Sequence, residues 1–153
     1  MSPFSTSAAS GLPDPDQNAE FYADIPLKRF LAWLADTVVI TLVCVVVLPF
    51  TAFTAVFYFP VFYVVVGFIY RVLTISGRSA TWGMRLVAIE FRNRSGERFD
   101  FGTALVHTLG YSVTIAFLIP QIASIVLMIT GARRQGLTDL VLGSAAINKA
   151  ARL

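Results

Sequence analysis

Residues 29–48, RFLAWLADTVVITLVCVVVL, decide the fold: an arginine opens a helical pattern, an aspartate follows seven residues later, and apolar side chains then continue without a charge. From Thr37 to Tyr70 no charged residue occurs over 34 positions. At about 100° per helical residue, Arg29 and Asp36 lie within about 20° of each other around the axis and about 10.5 Å apart along it. A single stripe of a membrane helix therefore carries both. An ionisable group at such depth costs from roughly 3 to more than 10 kcal/mol, so it is kept with a partner or for a task.

A second uncharged run, Phe101 to Ala132, covers 32 residues. Hydrocarbon about 30 Å thick needs about 20 apolar residues per helix, and both runs exceed that. With 56% hydrophobic and 14% charged residues among 153, and a mean hydropathy of +0.72, the chain lacks the polar surface of a soluble domain. The expectation is an all-α membrane protein: a bundle of three transmembrane helices, a small amphipathic hairpin between the second and third, and a flexible N-terminal tail.

The first run is too long for one helix and contains Pro49 and Pro60. It divides into helices over about 27–48 and 54–73, with Pro49 in the external turn and Pro60 kinking the second helix. A polar turn follows at 74–79. Residues 84–91 alternate imperfectly, and Asn93-Arg94-Ser95-Gly96 supplies turn chemistry before 97–101, which predicts a β-hairpin at the membrane surface with Trp82 among the headgroups. The second run reads as an interfacial helix over 101–110, a span over 111–130 kinked at Pro120, and an amphipathic tail over 136–150. Residues 1–24 hold Ser, Pro and Asp without a basic segment leading into an apolar one, so they read as a disordered acidic tail and not a cleavable signal. The membrane domain is expected over 25–150.

Net charge is +3, but the Lys and Arg residues border the apolar runs instead of lining a soluble face with aromatics, so nucleic acid is not indicated as a partner. Six arginines fall within 71–100, and Lys28 and Arg29 precede the first span. By the positive-inside rule the N-terminus and the 71–100 loop belong in the cytoplasm, as in a multi-pass protein of the plasma (inner) membrane. Three spans would leave Arg133, Arg134, Lys149 and Arg152 outside, against that rule. A re-entrant or two-pass third region broken near Pro120 would reconcile them only with unusually short helices, so three spans remain the expectation.

Three blocks together resemble the RDD family of small membrane proteins. They are residues 29–36 (RFLAWLAD), residues 80–86 (ATWGMRL) with Gly96 and then 101–105 (FGTAL), and residues 133–143 (RRQGLTDLVLG). The resemblance covers about 25–147 and implies Arg29, Asp36 and Asp139 as the signature residues. Two positions depart from the family pattern: Thr138 stands where many members carry histidine, and His107 where they carry arginine or lysine. Transport of ions or small solutes has been suggested for some members, and no cofactor is expected from the residues.

Two classes of function remain open. In the first, a structural or accessory membrane module uses a buried Arg–Asp pair to hold helices, partners or copies of itself. In the second, an oligomer transports a monovalent cation coupled to protons, with Asp36 as the ion or proton site. Arg29 could fold its stem towards Asp36 or extend to lipid phosphates. Asp139 could cap a helix, pair with Arg133 or Arg134, or meet Arg29 or Asp36 across the bundle. His107, a possible accessory, is by default a packed neutral histidine that could also relay protons. One His and one Cys, Cys44, make no metal cluster, and no phosphate-binding loop, nucleophile elbow or zincin helix is present, so the chain does not read as an enzyme.

Overall fold

The computed structural model describes residues 10–149. Helix α1 spans Ile25–Val47, with Pro26 in the first turn, where its missing N–H removes no helical bond. Short 3-10 segments at Leu48–Thr51 and Thr54–Tyr58 then reverse the chain. Ala52 and Phe53 make the turn with φ of 51° and 60°. Helix α2, Phe59–Arg78, follows. Pro60 falls in its first turn and not in its interior, so the expected kink does not arise. The polar turn expected at 74–79 is also helix as far as Arg78. Thr74 satisfies its hydroxyl on the Tyr70 carbonyl at 2.7 Å, and the helix ends only at Ser79, whose φ is 58°.

The expected hairpin does not form. Residues Trp82–Leu86 make a short helix, α3, capped by the Thr81 hydroxyl accepting from the Met84 N–H. Strand β1, Ile89–Arg92, pairs antiparallel with β2, Ala145–Asn148, from the far end of the chain, in the register Ile89 with Asn148 to Arg92 with Ala145. The turn at 93–97 is present, with Gly96 N–H on the Asn93 carbonyl and Asn93 N–H on that of Glu97, both at 2.9 Å. Its returning arm cannot take the other edge of β1 because Ser79 already holds it. The Phe91 N–H donates to the Ser79 carbonyl, and the Ser79 hydroxyl donates to the Phe91 carbonyl.

The second apolar run forms two helices, α4 over Phe101–Ala116 and α5 over Leu118–Thr130. They bend by 114° at Phe117, whose backbone is extended. Pro120 is the third residue of α5, where a missing N–H is tolerated, so the chain breaks just before the proline instead of kinking at it. At about 1.5 Å per residue α4 is roughly 24 Å long and α5 roughly 20 Å, each short of the hydrocarbon thickness. Among the described residues two helices, α1 and α2, are long and apolar enough to cross a membrane, and up to three if the bent pair counts as one span. Helix α6, Leu137–Leu142, and β2 replace the expected amphipathic tail.

Part of the disordered tail expected over 1–24, residues 1–9, lies outside the described residues. Over 10–24 the chain instead lies on the sheet. Leu12 and Tyr22 are buried against Ala145 and Ile147, the Gly11 N–H donates to the Arg94 carbonyl, and the Asn148 amide donates to the carbonyls of Glu20 and Ala23. The main core, including Ile25, Ala32, Ile75, Met84, Ile89, Phe91 and Phe99, gathers at the same end. The opposite end presents apolar side chains outward, up to 91% exposed at Phe57, as a hydrocarbon solvent allows.

Close approach of α3 to α1 depends on Gly83. A Cβ there would lie 2.1 Å from the Ala32 carbonyl oxygen and 2.9 Å from the Asp36 carboxyl carbon. Gly83→Ala is expected to lower stability by about 1–3 kcal/mol in detergent unfolding. Gly77→Ala meets nothing within 4 Å, and the same measurement should find stability unchanged or raised by up to about 1 kcal/mol.

Candidate functional site

The buried stripe of α1 runs through Ile25, Ala32, Asp36, Ile40 and Cys44, the spacing of one helical face. Asp36 therefore points into the protein, against the start of α3. Its Oδ1 accepts from the Tyr70 hydroxyl at 2.7 Å and the Gly83 N–H at 2.8 Å, and its Oδ2 accepts from the Thr81 hydroxyl at 2.6 Å. Arg71 Nη1 stands 3.7 Å from Oδ2, an ion pair beyond hydrogen-bond distance. The Arg71 guanidinium also lies 4.6 Å from the centroid of the Tyr111 ring, a cation–π contact that joins α2 to α4.

Asp139 occupies the first turn of α6, where its Oδ2 accepts from the Gly136 N–H at 3.1 Å. The same oxygen is paired with Arg29 Nη1. Its Oδ1 meets His107 Nε2 at 2.9 Å and the Ser144 hydroxyl at 3.2 Å. The carboxylate is fully buried. Burial pushes its pKa up, but the Arg29 charge and the His107 hydrogen bond outweigh that and hold it well below the ordinary carboxylate range. Aromatic rings enclose the pair. The Arg29 guanidinium lies 5.4 Å from the Phe91 centroid, and the His107 ring packs 4.4 Å from Phe91 and 5.4 Å from Phe99.

Arg29 and Asp36 thus share a helix stripe, as their spacing implies, yet they take different partners. Arg29 reaches Asp139, 110 residues away, and Asp36 takes Arg71. The structure brings Arg29, Asp139 and His107 together and leaves Asp36 in a neighbouring cluster. A cavity of about 70 Å³ adjoins both, lined by Arg29, Asp36, Arg71, His107 and Tyr111 among others. Sequence reading missed Tyr70 and Arg71 as ligands of Asp36. The signal was present: Arg71 is the first charge after the 34-residue run, one position after a tyrosine. It also missed Glu90, a fully buried carboxylate on β1 paired with Arg92 and standing 3.7 and 4.0 Å from Arg98 and Lys149.

A model of the RDD family matches residues 25–143. No curated protein and no solved structure matches the chain.

Removing one member of a buried ion pair leaves the other uncompensated. Asp139→Asn is expected to lower stability by about 3–5 kcal/mol in detergent unfolding, and the double variant Arg29→Met with Asp139→Leu to recover most of that loss. The acid dependence has a definite sign. Because the folded carboxyl is depressed, its contribution is complete above the unfolded value near pH 4 and is lost as pH falls through the lower folded value. Between about pH 4 and pH 2 the wild type should therefore lose more stability than Asp139→Asn, which chemical unfolding across that range measures.

Proposed function

The chain belongs to the RDD family, and from that premise we propose that this membrane protein is a structural or accessory module whose two Arg–Asp pairs brace the helices for partners or further copies in the bilayer. The observation that carries this reading is that both oxygens of each carboxylate are already committed. Asp36 takes three hydrogen bonds from α2 and the start of α3. Asp139 is bonded by Arg29, His107, Gly136 and Ser144. A cation at Asp139 would have to displace a donor, and at Asp36 it would find one of about four lone-pair sites open, on Oδ2 beside Arg71. Polar side chains joined across helices act as packing contacts in a bilayer, where the hydrophobic effect does little to hold helices together.

The second reading is a monovalent cation/proton transporter with Asp36 as its site. It is favoured by the cavity shared by Asp36, Arg71 and His107, which has room for water. So few helices enclose little aqueous volume, and transport would need an oligomer.

The pairing of β1 with β2 supports a topology in which the segments before and after the bent pair lie on one side of the membrane. We read α4 and α5 as a re-entrant hairpin, so that the N-terminal segment, the 71–100 loop and the C-terminal residues all lie on the cytoplasmic side of the plasma membrane. Arg133, Arg134 and Lys149 then satisfy the positive-inside rule that three spans would violate.

Two measurements test these readings. In liposomes holding the purified protein, Asp36→Asn should leave cation and proton flux at the background of the wild type while lowering thermal stability. Flux in the wild type that Asp36→Asn abolishes without loss of stability would establish the transporter instead. In a Cys44→Ala background, Glu97→Cys and Ala132→Cys should react with an impermeant maleimide from one side and Thr54→Cys from the other. Labelling of position 132 from the side of position 54 would overturn the re-entrant topology.

A further inference from the structure

Between α1 and the bent α4–α5 pair lies a crevice of about 520 Å³, within the range of small-molecule sites. Arg29, His107 and Asp139 line its polar end. Its apolar walls include Phe30 of α1 and Ile125 and Ile129 of α5. Those three side chains are 55%, 45% and 55% exposed, so the crevice is open to the surroundings along apolar groups. In a membrane the mouth therefore opens towards hydrocarbon and not towards bulk water.

Arg29 supplies the recognition chemistry. Its Nη1 is bonded to Asp139, and among the described residues its Nε and Nη2 form no hydrogen bond. These nitrogens are not sealed in the interior, since Arg29 lines the crevice and its side chain is 18% exposed. A guanidinium presents five N–H donors in a planar fork that suits the paired oxygens of a phosphate. Leaving such donors unmet beside hydrocarbon is unfavourable. The depth also fits a headgroup: Arg29 is the fifth residue of α1, about 6 Å along its axis from the end that carries the sheet and loops. Phe30 and Trp33 stack beside it with centroids 6.3 Å apart, as aromatic side chains do at the headgroup level.

The geometry points to a bound phospholipid, its phosphate oxygens accepting from Arg29 Nε and Nη2 and one acyl chain lying between α1 and α5. The site uses donors that the Arg29–Asp139 pair leaves over, so it stands whether the braces serve assembly or transport. A neutral lipid would match the walls but leave the guanidinium unmet. Inorganic phosphate would match the guanidinium but leave the walls empty.

Native mass spectrometry of the delipidated full chain tests the assignment with three probes: dioleoylphosphatidylglycerol, dioleoylglycerol and inorganic phosphate. The phospholipid should be retained at one per chain, and dioleoylglycerol about tenfold more weakly or worse. Ile125→Trp fills the wall without touching Arg29 and should weaken phospholipid retention at least about tenfold while the melting temperature holds. Ile129→Trp serves the same purpose should Ile125→Trp not fold. Equal retention of the two lipids, or phospholipid retention unchanged in a folded wall variant, would overturn the site. So would phosphate binding as tightly as the phospholipid. A dimer that the wall variants dissociate, with no lipid adduct, would assign the crevice to a second copy and overturn it equally.

Discussion

The ion pair between Arg29 and Asp139 ties the beginning of the membrane domain to its end. It is the contact on which the remaining geometry depends. The two residues are 110 positions apart, and the carboxylate is fully enclosed. An isolated carboxylate there would be strongly disfavoured, so α6 is held where Arg29, His107 and Ser144 can all reach it. Once α6 is placed, Gly143 turns the chain at φ 70° and β2 arrives beside β1. Lys28, next to Arg29, then reaches Asn148 at 2.7 Å from the same helix start. A single long-range charge pairing thus settles where the last described strand lies.

The molecule divides into an end held by polar contacts and an end whose apolar side chains face outward. At the first, the sheet, α3, residues 10–24 and the three buried carboxylates Asp36, Glu90 and Asp139 form a network with the hydrophobic core. At the second, α1 and α2 continue with small contacts, such as Gly67 against the Ile40 side chain, where an added Cβ would sit at an ordinary 3.5 Å. Hydrocarbon solvates apolar side chains as well as a neighbouring helix does, so packing alone gives little preference for one helix arrangement. The hydrogen-bonded charges provide that preference. Asp36 joins α1 to α2 through Tyr70 and to the connection before β1 through Thr81 and Gly83.

The same economy of donors links the two carboxylates with the crevice. Asp36 and Asp139 are each surrounded by protein donors, whereas Arg29 divides its fork between Asp139 and open space. The bend at Phe117 creates both conditions. It turns α5 back so that α6 can deliver Asp139, and it leaves α5 splayed from α1 with room for a chain between them.

Much of this was legible along the chain. The charge-free runs established a membrane protein because hydrophobicity is a property of each residue in turn and sums along a segment whatever its neighbours. The seven-residue spacing put Arg29 and Asp36 on one stripe because helix geometry is local. Pairing is not local, and there the sequence was insufficient. Residues 93–97 have real turn chemistry, yet β1 takes a strand from the far end because Ser79 occupies its other edge. Pro120 signalled a break, but not the 114° angle that the chain takes at Phe117. Only the tertiary structure assigned Asp139 to Arg29 and Arg71 to Asp36, because a buried charge takes the partner that folding brings within reach, and that reach is set by segments more than thirty residues away.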